Sequence, residues 1–180
     1  MHLTVFGSTG PTGRELVRQA TAEGHSVLAV ARRPEALEVS HPLLEIVRGD
    51  VMDPDSIAAT GTGADAVLSA IGTRNMKQPT NLYSQGTAAI LLAMAASCVA
   101  RFVGVTAAPV APMAASSLLD RYVGRPILWH LFRGGYADMA AMEEVLTRSE
   151  CDWTIFRPPW LRNGGKHSAH SLAVMGGAIC

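Results

Sequence analysis

Residues 1–24 read MHLTVFGSTGPTGRELVRQATAEG. A short apolar run, Leu3–Phe6, leads into Gly7-Ser-Thr-Gly10-Pro11-Thr12-Gly13. From Thr12 to Glu23 the residues Leu16, Val17 and Ala20 fall on one helical face, and Gly24 supplies a C-terminal stop. Strand, glycine turn and helix in that order predict the first unit of an α/β sheet. In such a turn one glycine lets the chain bend sharply after the strand. A second lets it approach a pyrophosphate, and a third lets helix and strand pack closely. The helix start then offers unpaired amides and a positive dipole end to phosphate. The spacing is one, four, seven rather than the one, three, six of many dehydrogenases; the alternative is a tight turn that holds no ligand. Placement after a strand and before a helix favours a dinucleotide, with Gly7, Thr9, Gly10, Pro11, Thr12 and Gly13 around its phosphates.

The rest of the chain repeats the pattern. Val27–Ala31, Leu44–Val47, Ala66–Ile71, Phe102–Thr106 and Trp153–Phe156 are β-branched or apolar runs without clean alternation, as expected of strands covered on both faces. Between them, Pro54–Ala59 reads as a short helix capped by Asp53, Thr80–Val99 as a long Ala/Leu-rich helix, and Ala137–Ser149 as a helix burying Met139, Met142, Val145 and Leu146. The expectation is a doubly wound, Rossmann-type parallel sheet in three αβα layers, with right-handed crossovers. One domain over 1–180 is expected, with a loop-like tail over 164–180. Ala107–Arg133, with Pro109, Pro112 and Pro126, breaks the rhythm where open α/β sheets build ligand sites.

Composition narrows the partners. The 180 residues carry 15 Lys plus Arg and 15 Asp plus Glu, for a formal net charge of zero. That balance argues against nucleic acid or an anionic membrane as partner. The longest apolar run, Ala88–Ala100, is shorter than a membrane span of ~20 residues. The glycine-rich start is not a signal peptide, and three cysteines, Cys98, Cys151 and Cys180, make no disulfide framework. A soluble, cytoplasmic protein is the expectation. His167, His170 and Cys180 lack a matching second pair, so no metal is expected, and His130 reads as a partly buried structural histidine.

The end of the second strand selects the dinucleotide. NAD binders usually place an acidic residue there, ~20 residues past the glycines; this chain has Arg32-Arg33. A guanidinium grips a 2′-phosphate through bidentate charge-assisted hydrogen bonds, so NADP(H) is the expected cofactor, against the alternative of an ordinary solvated basic pair. Asp50-Val51 suits adenine, unless Asp50 is only a turn residue. Ala70-Ile71-Gly72 ends the fourth strand with small residues beside a ribose.

GSTGPTG, the arginine after the second strand, GDV, IGTRN…PTNLYSQGT, RFVGVTA and MEEVL…DWTIFRPPWL resemble the atypical short-chain dehydrogenases. Within these the chain is similar to the NADPH-dependent flavin reductase (biliverdin reductase B) group and its NAD(P)H-binding, NmrA-like relatives, from Met1 to about Arg162. The resemblance implies NADPH in the crevice and hydride transfer to a flavin or other planar acceptor. It places Arg74 near the phosphates, and Thr106, Pro158 and Pro159 beside the nicotinamide. Departures accompany it. Ala107 stands where the family commonly has serine, Ala140 where a lysine would follow Tyr136, and Met139 where flavin-reductase relatives often have histidine. Thr106 is the remaining hydroxyl, expected to position rather than to donate. A flavin needs orientation more than a protein acid, whereas ketone chemistry needs a proton relay.

Trp129, Phe132, Tyr136 and Trp160 are candidates to stack on a planar substrate, the alternative for each being core filler. In relatives the Gly-Gly-x-Ile run near Cys180 leads into a further strand and helix. Their lack would leave apolar surface uncovered and favour a homo-oligomer. Two functions follow: an NADPH-dependent reductase, or a non-catalytic NADP(H)-binding sensor of NmrA type. A sugar-nucleotide epimerase would need the Tyr/Lys pair and a substrate domain.

Overall fold

The computed structural model describes residues 1–107, 110, 129–158 and 173–177. Its strands are β1 (His2–Phe6), β2 (Ser26–Ala31), β3 (Leu44–Arg48), β4 (Ala66–Ser69), β5 (Arg101–Val105), β6 (Asp152–Arg157) and β7 (Ala173–Gly177). They form one sheet in the order β3-β2-β1-β4-β5-β6-β7. β1 to β6 pair in parallel, and β7 runs antiparallel to β6. The helices described over their whole length are α1 (Pro11–Ala22), α2 (Leu82–Ala96) and α3 (Arg133–Thr147), with single 3₁₀ turns at Pro34–Ala36 and Pro54–Ile57.

The expected three layers are present. Leu3 and Val5 of β1 pack with Val17 of α1 and with Val27 and Ala29 of β2 on one face. Phe6, Val30, Val67, Phe102 and Ile155 point to the other face, where Ile90 and Met94 of α2 and Met142 and Leu146 of α3 cover them. β1 serves both layers, which is why its sequence lacks alternation. β5 and β6 differ. Phe102, Trp153 and Ile155 are buried, whereas their neighbours Val103, Val105, Thr154 and Phe156 are half-exposed. Burial on both faces, expected along the whole sheet, holds for β1 but not for these two strands among the described residues.

Two further expectations change. The tail is not loop throughout: residues 173–177 add a strand to the open edge of β6, where unpaired amides and carbonyls find partners. Asp53 precedes the Pro54–Ile57 turn as expected, but its side chain caps nothing; the segment is one 3₁₀ turn tied by Ser56, whose hydroxyl donates to the Asp53 carbonyl at 2.7 Å.

At the start of α2 the Asn81 side chain caps nothing, and the Thr80 hydroxyl accepts the Leu82 amide at 3.2 Å. The next two amides are capped from α3. Asp138, 5% exposed, accepts the Tyr83 amide at 2.8 Å, the Ser84 amide at 3.1 Å and the Ser84 hydroxyl. A carboxylate at this N-terminus complements both the orphan amides and the dipole. Asp138→Ala strips three donors of their acceptor and is expected to lower stability by about 2–3 kcal/mol in urea unfolding. Glu144→Ala, which removes only an exposed pair with Arg148 one turn away, is expected to cost about 0.5 kcal/mol or less.

Candidate functional site

A cleft of about 700 Å³ opens at the carboxyl ends of the strands, where the order turns from β1 to β4. This is the switch point at which open α/β sheets bind ligands. The glycine turn forms its floor. Gly7 has φ +72°, and a Cβ there would overlap the Ala70 carbonyl. A Cβ at Gly13 would overlap the Gly7 carbonyl, so the third glycine locks α1 onto the turn and stays out of the cleft. Gly10 is different. Its φ is an ordinary −74°, and a Cβ there would meet only the Gly7 carbonyl, at 3.4 Å. Gly72 is equally unconstrained, with the Tyr83 hydroxyl 3.8 Å from a Cβ as the nearest atom. Both line the cleft. The chain itself does not need glycine at these two places, and bare backbone there leaves room for a ligand to lie across it. Gly10 heads α1 with no side-chain cap and no acidic residue in the first turn, so an anion meets no competitor there. The residues therefore fit a dinucleotide.

Most of the expected cofactor residues meet in this cleft. Thr9, Pro11 and Thr12 line it beside Gly7 and Gly10. Ser8 escaped sequence reading: it is buried, and its hydroxyl donates to the Val30 carbonyl at 2.9 Å, tying the turn to the end of β2. Arg32 and Arg33 stand exposed at the mouth, and among the described residues no hydrogen bond or ion pair occupies either guanidinium. Arg48 donates to the Arg32 carbonyl at 3.3 Å, which holds that corner. Asp50 lines the cleft and also makes a turn, accepting the Met52 amide at 3.0 Å through Oδ1. Val51 forms floor and core at once: a Cβ on Gly86 of α2 would sit 2.8 Å from its Cγ2. Ala70, Ile71 and Arg74 line the wall beyond β4, and Arg74 is exposed with no partner among the described residues.

The far end is built by α2, α3 and β5. Thr73, Tyr83, Val105, Thr106 and Met139 line it. The Tyr83 hydroxyl accepts the Thr73 amide at 3.3 Å and donates to the Met76 sulfur at 3.4 Å. Burial holds this phenol above its usual pKa, so it stays neutral. The loop is clamped from behind, where the Gly135 amide donates to the Met76 carbonyl at 3.0 Å. Behind Thr106 lies a polar group that sequence reading missed. The Thr106 hydroxyl donates to Glu143 Oε1 at 2.8 Å. Arg157 grips the same carboxylate bidentately, with Nε on Oε1 at 2.8 Å and Nη2 on Oε2. The Arg157 and Glu143 side chains are 8% and 14% exposed. One signal was available: Glu143 follows Met139 by one helical turn and so shares its face.

Some expected residues lie elsewhere. Tyr136 is buried in the core, with Trp129 stacked on it at 5.7 Å and Phe132 edge-on at 6.1 Å. Neither Trp129 nor Tyr136 lines the cleft; apolar area won over display, and Met139 and Tyr83 take the place expected of them. Burial also raises the Tyr136 pKa, away from the range of a proton donor. Pro158 is half-buried beyond β6 and outside the cleft lining, and Pro159 and Trp160 lie outside the described residues. His130 is exposed rather than partly buried. His167, His170 and Cys180 lie outside the described residues, among which no His, Cys, Asp and Glu cluster suits a metal. Among them, too, no helix is long and apolar enough to cross a membrane.

The sequence profile of a family described as NAD(P)H-binding matches residues 7–177. An uncharacterized chloroplastic protein of Arabidopsis thaliana is 30% identical over 88% of this chain and 59% of its own length. The chain thus spans about three fifths of that relative. The oxidoreductase ylbE of Lactococcus lactis superposes with a TM-score of 0.71 at 21% identity, over 88% of this chain and 68% of that one. A short-chain dehydrogenase/reductase of Veillonella parvula in complex with NADP superposes at 0.67 and 19% identity, over 92% of this chain and 72% of that one. At these identities the two structures support the fold.

The glycines separate fold from binding. Gly10→Val is expected to keep the thermal unfolding midpoint within a few degrees while weakening dinucleotide binding at least tenfold by calorimetry. Gly13→Val, which drives a side chain into the Gly7 carbonyl, is expected to prevent folding, read by circular dichroism.

Proposed function

Because this chain belongs to the NAD(P)H-binding family, we propose that it is a reductase that holds NADPH in this cleft and passes a hydride to a flavin or similar flat acceptor. One observation carries the choice of coenzyme: Arg32 and Arg33 line the cleft at the end of β2 with guanidiniums that have no partner among the described residues, where a ribose-binding carboxylate would repel a 2′-phosphate. Gly10, Thr9 and Thr12 would receive the pyrophosphate at the α1 start, with Arg74 opposite. Asp50 and Val51 would receive the adenine. The nicotinamide half then extends toward Thr106, Val105 and Met139. Bound there, the coenzyme supplies the hydride, and the chain supplies orientation and exclusion of water. Met139 and Val105 offer an apolar surface to a flat ring, and the neutral Tyr83 phenol adds no charge beside it.

A second reading is a non-catalytic NADP(H) sensor. It draws on Tyr136, which is buried under Trp129 and followed at the expected lysine position by Ala140. It draws also on the Thr106 proton, which is already given to Glu143. Among the described residues the cleft then holds no Tyr/Lys pair for ketone chemistry, the Tyr83 phenol being held above its usual pKa with its proton on the Met76 sulfur, and the flavin reading survives because it asks for no protein acid.

Arg32→Ala with Arg33→Ala is expected to weaken NADPH binding about tenfold and to leave NADH within threefold, with the difference shrinking as salt rises. Equal losses for both coenzymes would remove the basis for NADPH. FMN or riboflavin is expected to accelerate NADPH oxidation followed at 340 nm. Tight NADPH binding with no turnover on any flavin or quinone would decide for the sensor.

A further inference from the structure

Thr106 has two hydrogen-bond donors, and both are spent inside the protein. Its amide donates to the Phe156 carbonyl at 2.9 Å. Its hydroxyl donates to Glu143 Oε1 at 2.8 Å. Glu143 cannot turn away, because Arg157 holds both of its oxygens, and Arg157 is the last residue of β6. The carboxylate has no proton to give back, so Thr106 Oγ1 is always the donor in that pair. Thr106 is 4% exposed, yet it lines the cleft. A hydroxyl oxygen has two lone pairs, and neither is occupied among the described residues.

We infer that Glu143 and Arg157 are positioning residues that lock Thr106 as a hydrogen-bond acceptor facing the cleft, and that the group it accepts from is the carboxamide N–H of nicotinamide. This rests on the reading of the cleft as a nicotinamide coenzyme site. The direction follows from the layout already described. With phosphates at the glycine turn and the 2′-phosphate at Arg32, the nicotinamide ring falls at the Thr106 end. That ring bears one hydrogen-bonding substituent, a carboxamide with a carbonyl acceptor and an amino donor. A wall that only accepts selects the amino side and so fixes which way the substituent turns. A threonine free to rotate would serve either side and select neither. The buried ion pair is thus a specificity device rather than a source of stability.

The test compares NADP⁺, its 3-acetylpyridine analogue and 2′-phospho-ADP-ribose by calorimetry. The analogue replaces the amino group by methyl and so lacks the donor; the fragment lacks the ring altogether. Wild-type protein is expected to prefer NADP⁺ over the analogue about fivefold, the worth of one hydrogen bond. Thr106→Val, nearly isosteric, is expected to abolish that preference and to leave the fragment's affinity unchanged. Thr106→Ser is expected to restore the preference. Glu143→Gln, whose amide can donate to Thr106 and free its proton, is expected to relax the preference with Thr106 still present. Should that variant fail to fold around an unpaired Arg157, the threonine variants decide alone. A preference that persists in Thr106→Val, or is missing in wild type, overturns the inference while fragment binding upholds the coenzyme site. A wild-type protein that does not bind the fragment overturns the reading of the cleft and this inference with it.

Discussion

At Gly7 three pieces of backbone meet with no room for a side chain. The turn after β1, the chain leaving β4 at Ala70 and the first turn of α1 at Gly13 touch through bare main chain. Everything at the carboxyl end of the sheet hangs on this contact. It brings α1 down onto the turn, and it sets how far β4 stands from β1 where the strand order changes direction. The gap that remains is the cleft. Close packing at Gly7 and Gly13 and open space at Gly10 and Gly72 are therefore two sides of one arrangement, in which glycine is used twice for fit and twice for access.

Around this floor the cleft has two unlike ends. The end near β2 and β3 is cationic and exposed, with Arg32 and Arg33 reaching solvent. The end near β5 and β6 is buried and nearly neutral, since the Glu143 charge is matched by Arg157. A long ligand with a charged end and a flat uncharged end meets complementary surroundings along its length. Buried ion pairs seldom stabilise a fold more than well-packed apolar residues would. The position of this one, one hydroxyl away from the cleft, accounts for its presence better than stability does.

What could be read from sequence was what neighbouring residues decide. The glycine turn, α1 and the Arg32-Arg33 corner come from 33 consecutive positions at the start of the chain, and local spacing carries them. The far end comes from residues distant in sequence. Thr106 meets Glu143 across 37 positions, and Tyr83 meets Asp138 across 55, and no periodicity announces such a pairing. The aromatics show the limit clearly. Trp129, Phe132 and Tyr136 have the composition of a stacking pocket, but Trp129 stacks on Tyr136 and Phe132 meets it edge-on at the core, because burial of large rings is favourable wherever they pack. β7 was hidden because the whole tail over 164–180 read as loop-like, whereas a free strand edge accepts a backbone with little regard for side chains.

The trans cap on α2 carries a consequence for biosynthesis. As the chain leaves the ribosome, the amides of Tyr83 and Ser84 emerge long before Asp138, their acceptor 55 and 54 positions further on. During that interval the start of α2 has only the Thr80 hydroxyl on the Leu82 amide, and the wall bearing Tyr83 lacks its tie to α3. The glycine-turn end of the cleft, drawn from the first β-α-β unit, needs none of those later residues. The nascent protein thus completes the glycine turn and the Arg32-Arg33 corner before it completes the far end of the cleft, and the first half stands ready as a template for the second.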